Sequence, residues 1–323
     1  MEELFVCGDV GGTKALLALA SVAAGRPQFL QRYRYACADF ACWDDLLARF
    51  RSDVAPHIVP NCAHLDGGCL AVAGPIDDDG SGAHITNLPW RIDAHAAGAA
   101  FGLPPLLLAN DFAAAAAGIA TLEANDLVTL QAGAALAHGV RLVVGAGTGL
   151  GMAILVPTAS GYRVLPGEGG HCGFSPQDAT QARIHAALLA EHGRVTAERV
   201  VSGPGLAAIH RILGGATLDP AAIAEQALAG EASAKQSLDV FLTAYGAFAG
   251  DMAMACMARG GVFLAGGIAA KILPLMQGGG FVAAFAAKAE HAALAARMPV
   301  HVVVDAELGL KGAATLADAA LRA

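Results

Sequence analysis

No stretch of about 18–20 uninterrupted apolar residues, the length that spans a bilayer as a helix, occurs in the 323-residue chain, although apolar residues make up 55% of it. Alanine supplies much of that excess, and the longest apolar stretches are broken by Asn110 and Asp111 or by Lys271. A basic leader is missing as well. The chain opens Met-Glu-Glu, so no signal peptide is expected, and a cytoplasmic protein with no membrane partner is the reading. Positive charge is scarce: 20 Lys and Arg face 28 Asp and Glu, a net charge of −8. That argues against nucleic acid as a partner, because binding a phosphate backbone needs a basic face. It leaves room for a small anion, which a few backbone N–H groups and a metal can hold locally. The seven cysteines (Cys7, Cys37, Cys42, Cys62, Cys69, Cys172 and Cys256) contain no C-x-x-C pair. An odd, scattered set argues against a disulfide framework and for reduced thiols. No linker rich in Pro, Ser or charge divides the chain. Its length suits two domains, so their boundary must come from motifs.

Two familiar phosphate signatures are missing too. A P-loop needs G-K-[ST], but here Lys14 follows Thr13. A dinucleotide fingerprint needs G-x-G-x-x-G; counted from Gly145 the last position is Leu150, and from Gly147 it is Met152.

What is present is a repeated pattern. An apolar strand over 4–8 stops at Asp9, turns through Gly11 and Gly12, and resumes over 15–22, where Ala and Leu suit a helix as well as a strand. "RLVVGAGTGLGMAILV" (141–156) repeats strand, glycine turn, strand. "GVFLAGGIAAKI" (261–272) reads as strand, Gly-Gly, helix. The recurrence hints at two related halves. Glycines let such turns take unusual backbone angles and let N–H groups approach an anion; a plain hairpin is the alternative for any single turn. "LPPLLLAND" (103–111) is an apolar strand that stops at a polar pair before an Ala-rich helix. Locally, Asp111 there reads as a helix cap. From about residue 178 the pattern is mainly helical, over 178–192, 203–213, 220–229 and 231–258, with a late strand at 300–305 and a terminal helix at 309–321.

Taken in order, "GDVGGTKALLALA", "VVGAGTGLGMAIL" and "GVFLAGGIAAKI" resemble the first phosphate loop, second phosphate loop and adenosine segment of the actin/hexokinase/Hsp70-like sugar kinases. "LLLANDF", "LPGEGGHCGFSP" and "AERVVSGPGL" are similar, in sequence and order, to the bacterial glucokinase family of the non-ROK type, and the resemblance runs from about residue 4 to 321. It implies an α/β fold of two ribonuclease-H-like domains flanking a deep cleft. The small domain would comprise 1–110 plus 301–323, the large one 111–300. It implies ATP-dependent phosphorylation of D-glucose at the 6-hydroxyl, giving glucose 6-phosphate and ADP.

The resemblance also assigns residues. Gly8, Asp9, Val10, Gly11, Gly12 and Thr13 would face the ATP phosphates, joined by Gly147, Thr148, Gly149, Gly266 and Gly267. Asp9 would hold Mg²⁺ through water. Lys14 stands where asparagine is common in the family and has no assigned role. Asp111 would be the general base, a carboxylate that orients the attacking hydroxyl and accepts its proton. Asn110, Asp111, Glu168, His171, Glu198 and, on a shorter motif "ITNLPW", Asn87 would bind the sugar. The related ROK group carries a cysteine cluster for structural zinc after its histidine; here Cys172 follows His171 and the next cysteine is Cys256. No structural zinc is expected. A homodimer is implied by the family alone. A kinase for mannose or an N-acetylhexosamine remains an alternative, as does a non-catalytic sugar-sensing regulator. The acidic charge weakens the regulator, as does a first strand beginning at residue 4, which leaves no room for a DNA-binding helix-turn-helix.

Overall fold

A computed structural model describes residues 3–58, 65–159 and 161–322. The chain divides into two compact units, one of Met1–Glu123 with Asp305–Ala323, the other of Ala124–Val304.

The first unit is built on a five-stranded sheet of order β3-β2-β1-β4-β7. Its strands are β1 (Leu4–Val10), β2 (Lys14–Ala23), β3 (Arg26–Ala36), β4 (Leu65–Val72) and β7 (Leu107–Asn110); β5 (Gly82–His84) and β6 (Arg91–Asp93) form a separate ribbon. β1, β2 and β3 are antiparallel neighbours, whereas β4 runs parallel to β1 and β7 parallel to β4. The ambiguous segment at 15–22 is therefore a strand. Ala and Leu favour a helix in isolation, but β2 gains a full ladder on each side, to β1 and to β3, and tertiary pairing overrides propensity. β1 is buried on both faces, which is why it reads as a near-continuous apolar run. Leu4, Val6 and Val10 pack with Leu46, Phe50 and Val54 of helix Trp43–Ile58; Phe5 and Cys7 pack with Leu310, Ala313, Ala314 and Ala317 of helix Leu308–Leu321.

The second unit repeats this plan in a six-stranded sheet of order β11-β10-β9-β12-β13-β8. Its strands are β8 (Leu127–Gln131), β9 (Arg141–Ala146), β10 (Leu150–Thr158), β11 (Gly161–Gly167), β12 (Gly261–Leu264) and β13 (Val300–Val303). Again an antiparallel three-strand meander leads into strands parallel to its first member. The long helix Ala232–Cys256 backs the sheet, with Tyr245 buried and its hydroxyl donating to the Val144 carbonyl at 3.3 Å. Five strands of the second sheet follow the order and directions of the first, with β8 added as an antiparallel edge strand, in keeping with the two related halves suggested by the repeated glycine pattern.

Several boundaries differ from the sequence reading. The strand expected over 103–111 is only Leu107–Asn110. Pro104 and Pro105, which have no N–H to give a ladder, precede it. The late strand expected over 300–305 ends at Val303. Cys7, Cys37 and Cys69 are buried, Cys42 and Cys256 half-buried and Cys172 exposed, all as free thiols; Cys62 lies outside the described residues. Burial pushes the Cys7 and Cys69 thiols well above their ordinary range, so both are held unreactive. Among the described residues no helix is long and apolar enough to cross a membrane.

Candidate active site

In the first unit the candidate residues gather at one edge of the sheet. Val10 of β1 pairs with Val72 of β4, and Val72 with Asn110 of β7. The first glycine turn and the Asn110–Asp111 pair thus emerge at the carboxyl ends of parallel strands, two strand spacings apart or roughly 10 Å, where open α/β sheets bind ligands.

The turn is a tight hairpin in which the Gly11 N–H donates to the Lys14 carbonyl at 3.0 Å. The Cys37 thiol donates to the Gly11 carbonyl at 3.4 Å and the Cys37 N–H to the Thr13 carbonyl at 3.0 Å. Gly12 has no space for a side chain, since a Cβ there would stand 2.6 Å from the Thr86 carbonyl oxygen and 3.7 Å from the Asn87 Cβ. Asn87, at φ +67°, therefore adjoins the turn. Thr13 and Lys14 are exposed. Gly8 and Val10 lie within β1 and are buried, Gly8 against Leu17 and Leu70, so they support the turn without being part of it.

Asp9 precedes the turn, and burial raises its carboxyl pKa while the nearby Lys14 charge opposes the rise. One support was not visible in the sequence reading. A Cβ at Gly309 would stand 2.7 Å from Asp9 Oδ2, so the first turn of helix Leu308–Leu321 closes over the carboxylate. A half-buried carboxylate beside a glycine turn suits Mg²⁺, which binds through one or two carboxylates and keeps several waters. The raised pKa has a consequence for stability. A carboxyl whose folded pKa exceeds its unfolded value of about 3.9 destabilises the fold most above the folded pKa, and the penalty fades as pH falls towards the unfolded value. Asp9→Asn is accordingly expected to melt higher than the parent near pH 7, with the gap narrowing towards pH 4. Melts of ligand-free protein at both pH values check this; an Asn variant that melts no higher near pH 7 contradicts it.

Asp111 is not the helix cap that its local context suggested. Asn110 holds that position, and its Oδ1 accepts from the Phe112 N–H at 3.0 Å and the Ala113 N–H at 3.3 Å. Asp111 is the first helical residue, half-buried, with Oδ1 accepting from the Phe112 N–H at 2.9 Å. Its helix, Asp111–Gly118, packs against helix Leu308–Leu321 backbone to backbone. A Cβ at Gly312 would collide with the Ala114 carbonyl, and one at Gly118 would meet the Leu308 carbonyl oxygen at 2.5 Å. The C-terminal helix thus braces both Asp9 and Asp111.

In the second unit the other two glycine elements also share a sheet edge. β9 and β12 are parallel, with Val144 opposite Leu264. Gly266, at φ +88°, comes close to the Ala146 carbonyl and opens the short helix Gly267–Lys271. In the second turn the Gly147 N–H donates to the Gly149 carbonyl at 2.8 Å, and Thr148 at its tip is exposed. The segments carrying Glu168, His171 and Glu198 meet beside it. The Ala197 N–H donates to the Cys172 carbonyl at 2.8 Å, and Gly170 packs on the Leu150 carbonyl so closely that no side chain fits. The Glu168 and His171 side chains are 83% and 60% exposed, with Oε2 and Nε2 3.8 Å apart, so both are open to a ligand. Glu198 sits in a single 3-10 turn, Ala197–Arg199, and its Oε2 accepts from the Leu150 N–H at 2.8 Å. Among the described residues, no group of three or more His, Cys, Asp or Glu side chains is arranged to hold a metal by itself.

Two ribonuclease-H-like units, each with a glycine turn between the first two strands of its antiparallel meander, make this an actin/hexokinase-type ATPase fold. The crystal structure of glucokinase from an Antarctic psychrotroph matches it with a TM-score of 0.84 at 33% identity, over 99% of this chain and 100% of that one. Balamuthia mandrillaris glucokinase in complex with glucose shares the fold, with a TM-score of 0.81 at 24% identity over 98% and 94% of the two chains. The Glucokinase family profile covers residues 6–320. A curated relative, the glucokinase of Nostoc sp., is 36% identical over 344 aligned positions, which span 97% of this chain and 98% of its own. The chain belongs to the glucokinase family.

Proposed function

We infer that the protein transfers the γ-phosphoryl group of ATP to the 6-hydroxyl of D-glucose. The observation that carries this reading is the placement of Asp111. It opens a helix at the same sheet edge as the first glycine turn, while Asn110 takes over the capping role. Asp111 orients the 6-hydroxyl and accepts its proton as the bond to phosphorus forms. Asn110, Asn87, Glu168, His171 and Glu198 bind the other hydroxyls: a carboxylate accepts from two of them and an imidazole donates or accepts. Backbone N–H groups of the turns at 11–13, 147–149 and 266–267 take the nucleotide phosphates and stabilise charge on the transferred group. Mg²⁺, held at Asp9 through water, neutralises phosphate charge when bound. The units Met1–Glu123 with Asp305–Ala323 and Ala124–Val304 correspond, on this reading, to the family's small and large domains. A homodimer in the cytoplasm belongs to the same proposal, on family grounds.

A coupled ADP-release assay over a sugar panel at saturating Mg-ATP tests the substrate. Glucose is expected to give the highest kcat/KM and mannose, altered at one carbon, the next. Fructose, N-acetylglucosamine and N-acetylmannosamine should be poor, because a site built to hydrogen-bond hydroxyls penalises analogues that leave its polar groups unpaired. Glu168→Gln and His171→Ala should each reduce kcat/KM for glucose by about 0.5–3 kcal/mol, the range for losing one hydrogen bond to a neutral or a charged partner. An N-acetylated hexose or fructose outperforming glucose would keep the kinase and discard glucose as its substrate.

A further inference from the structure

The contact between Glu198 and Leu150 has no role in the reaction as described so far. Leu150 is the first residue after the second glycine turn, and its N–H is the group on which Glu198 Oε2 is spent, at 2.8 Å. Gly149 is shaped around the same contact. A Cβ there would lie 2.5 Å from Glu198 Oε2 and 3.3 Å from its Cδ, and would meet nothing else within 4 Å. A second link runs alongside, from the Gly203 N–H to the Gly147 carbonyl at 2.8 Å. The segment 197–203 therefore grips both ends of the turn, by a backbone bond at Gly147 and by a charged side chain at Leu150. A bond from an N–H to a carboxylate is about twice as strong as a neutral one, so the carboxylate sets where the turn ends and β10 begins.

We propose that Glu198 is a positioning residue for the second glycine turn, and that its carboxylate couples sugar affinity to nucleotide affinity. The coupling rests on the reading of Glu198 as a sugar ligand; the positioning role does not. One oxygen is committed to Leu150, so a sugar hydroxyl that engages the same carboxylate fixes the rotamer that holds the turn. A nucleotide that orders the turn fixes the carboxylate in return. Coupling between two binding sites is necessarily reciprocal.

Calorimetric titrations test the two parts separately. In the first, AMPPNP with Mg²⁺ is titrated into sugar-free protein. Glu198→Ala is expected to weaken binding about tenfold, the size of one lost charge-assisted hydrogen bond. Glu198→Gln keeps an acceptor for the Leu150 N–H and should stay within about threefold of the parent. Its recovery also distinguishes positioning from loss of fold. Parental AMPPNP affinity in Glu198→Ala overturns the positioning role, as does a Gln variant no better than Ala. In the second, glucose is titrated into nucleotide-free protein. Gly149→Ala, which pushes Glu198 off Leu150, should weaken glucose about tenfold. Gly147→Ala adds a methyl to the same turn, where nothing lies within 4 Å, and should stay within about twofold. Equal glucose affinities in these two variants overturn the coupling. If the parent itself binds AMPPNP but not glucose, the sugar-ligand reading and the coupling fall together, and the AMPPNP series alone decides the positioning role.

Discussion

Asp111→Asn is expected to lower kcat by about 10²–10⁴-fold, the range for removal of a general base, while leaving glucose binding measurable. The structure makes this substitution a clean one. Asn110, not Asp111, caps the helix, so the cap survives. The Asn side chain keeps an oxygen for the Phe112 N–H that Asp111 Oδ1 now takes at 2.9 Å. What disappears is the capacity to accept a proton from the sugar hydroxyl. Steady-state rates together with glucose calorimetry on the variant separate chemistry from binding. A variant with near-parental kcat removes Asp111 from the role of base. One that binds no glucose would show the residue to be needed for the sugar itself.

Chelation is expected to have an equally large effect on activity and almost none on stability. EDTA should bring turnover to background, and added Mg²⁺ should restore it, with the thermal melt of the nucleotide-free protein nearly unmoved. The asymmetry follows from the ligands. Structural zinc needs four thiolate or imidazole ligands in a closed set, and after Cys172, which follows His171, the next cysteine in the sequence is Cys256. Mg²⁺ asks less of the protein, because water and phosphates complete its shell, and on the proposed reading the half-buried Asp9 carboxylate near the end of β1 is the protein group that would hold it. Stoichiometric zinc in the purified protein, or a melt that collapses in EDTA, would contradict this account.

The sequence by itself determined the features whose physics is local. Gly11–Gly12, Gly147–Gly149 and Gly266–Gly267 announce turns because few residues besides glycine permit such close backbone approach, and their order carried the family resemblance. β1 and β9 were legible as short apolar runs bounded by turn residues. Where two local signals competed, the tertiary structure decided. Residues 15–22 became a strand because ladders formed on both sides, and the capping role fell to Asn110 because β7 ends at that residue and leaves it extended, at φ −60° and ψ 145°. Other features have no local signal at all. Gly309 touches Asp9 from the far end of the chain, and Gly312 lets the C-terminal helix press on the helix of Asp111. Glu198 reads in isolation as an ordinary helix-end glutamate, yet it holds Leu150, 48 residues away. Such contacts depend on which surfaces meet when sheets and helices pack. A glycine or a carboxylate shows its own conformational freedom and charge in the sequence, but the partner that uses them is chosen by the fold.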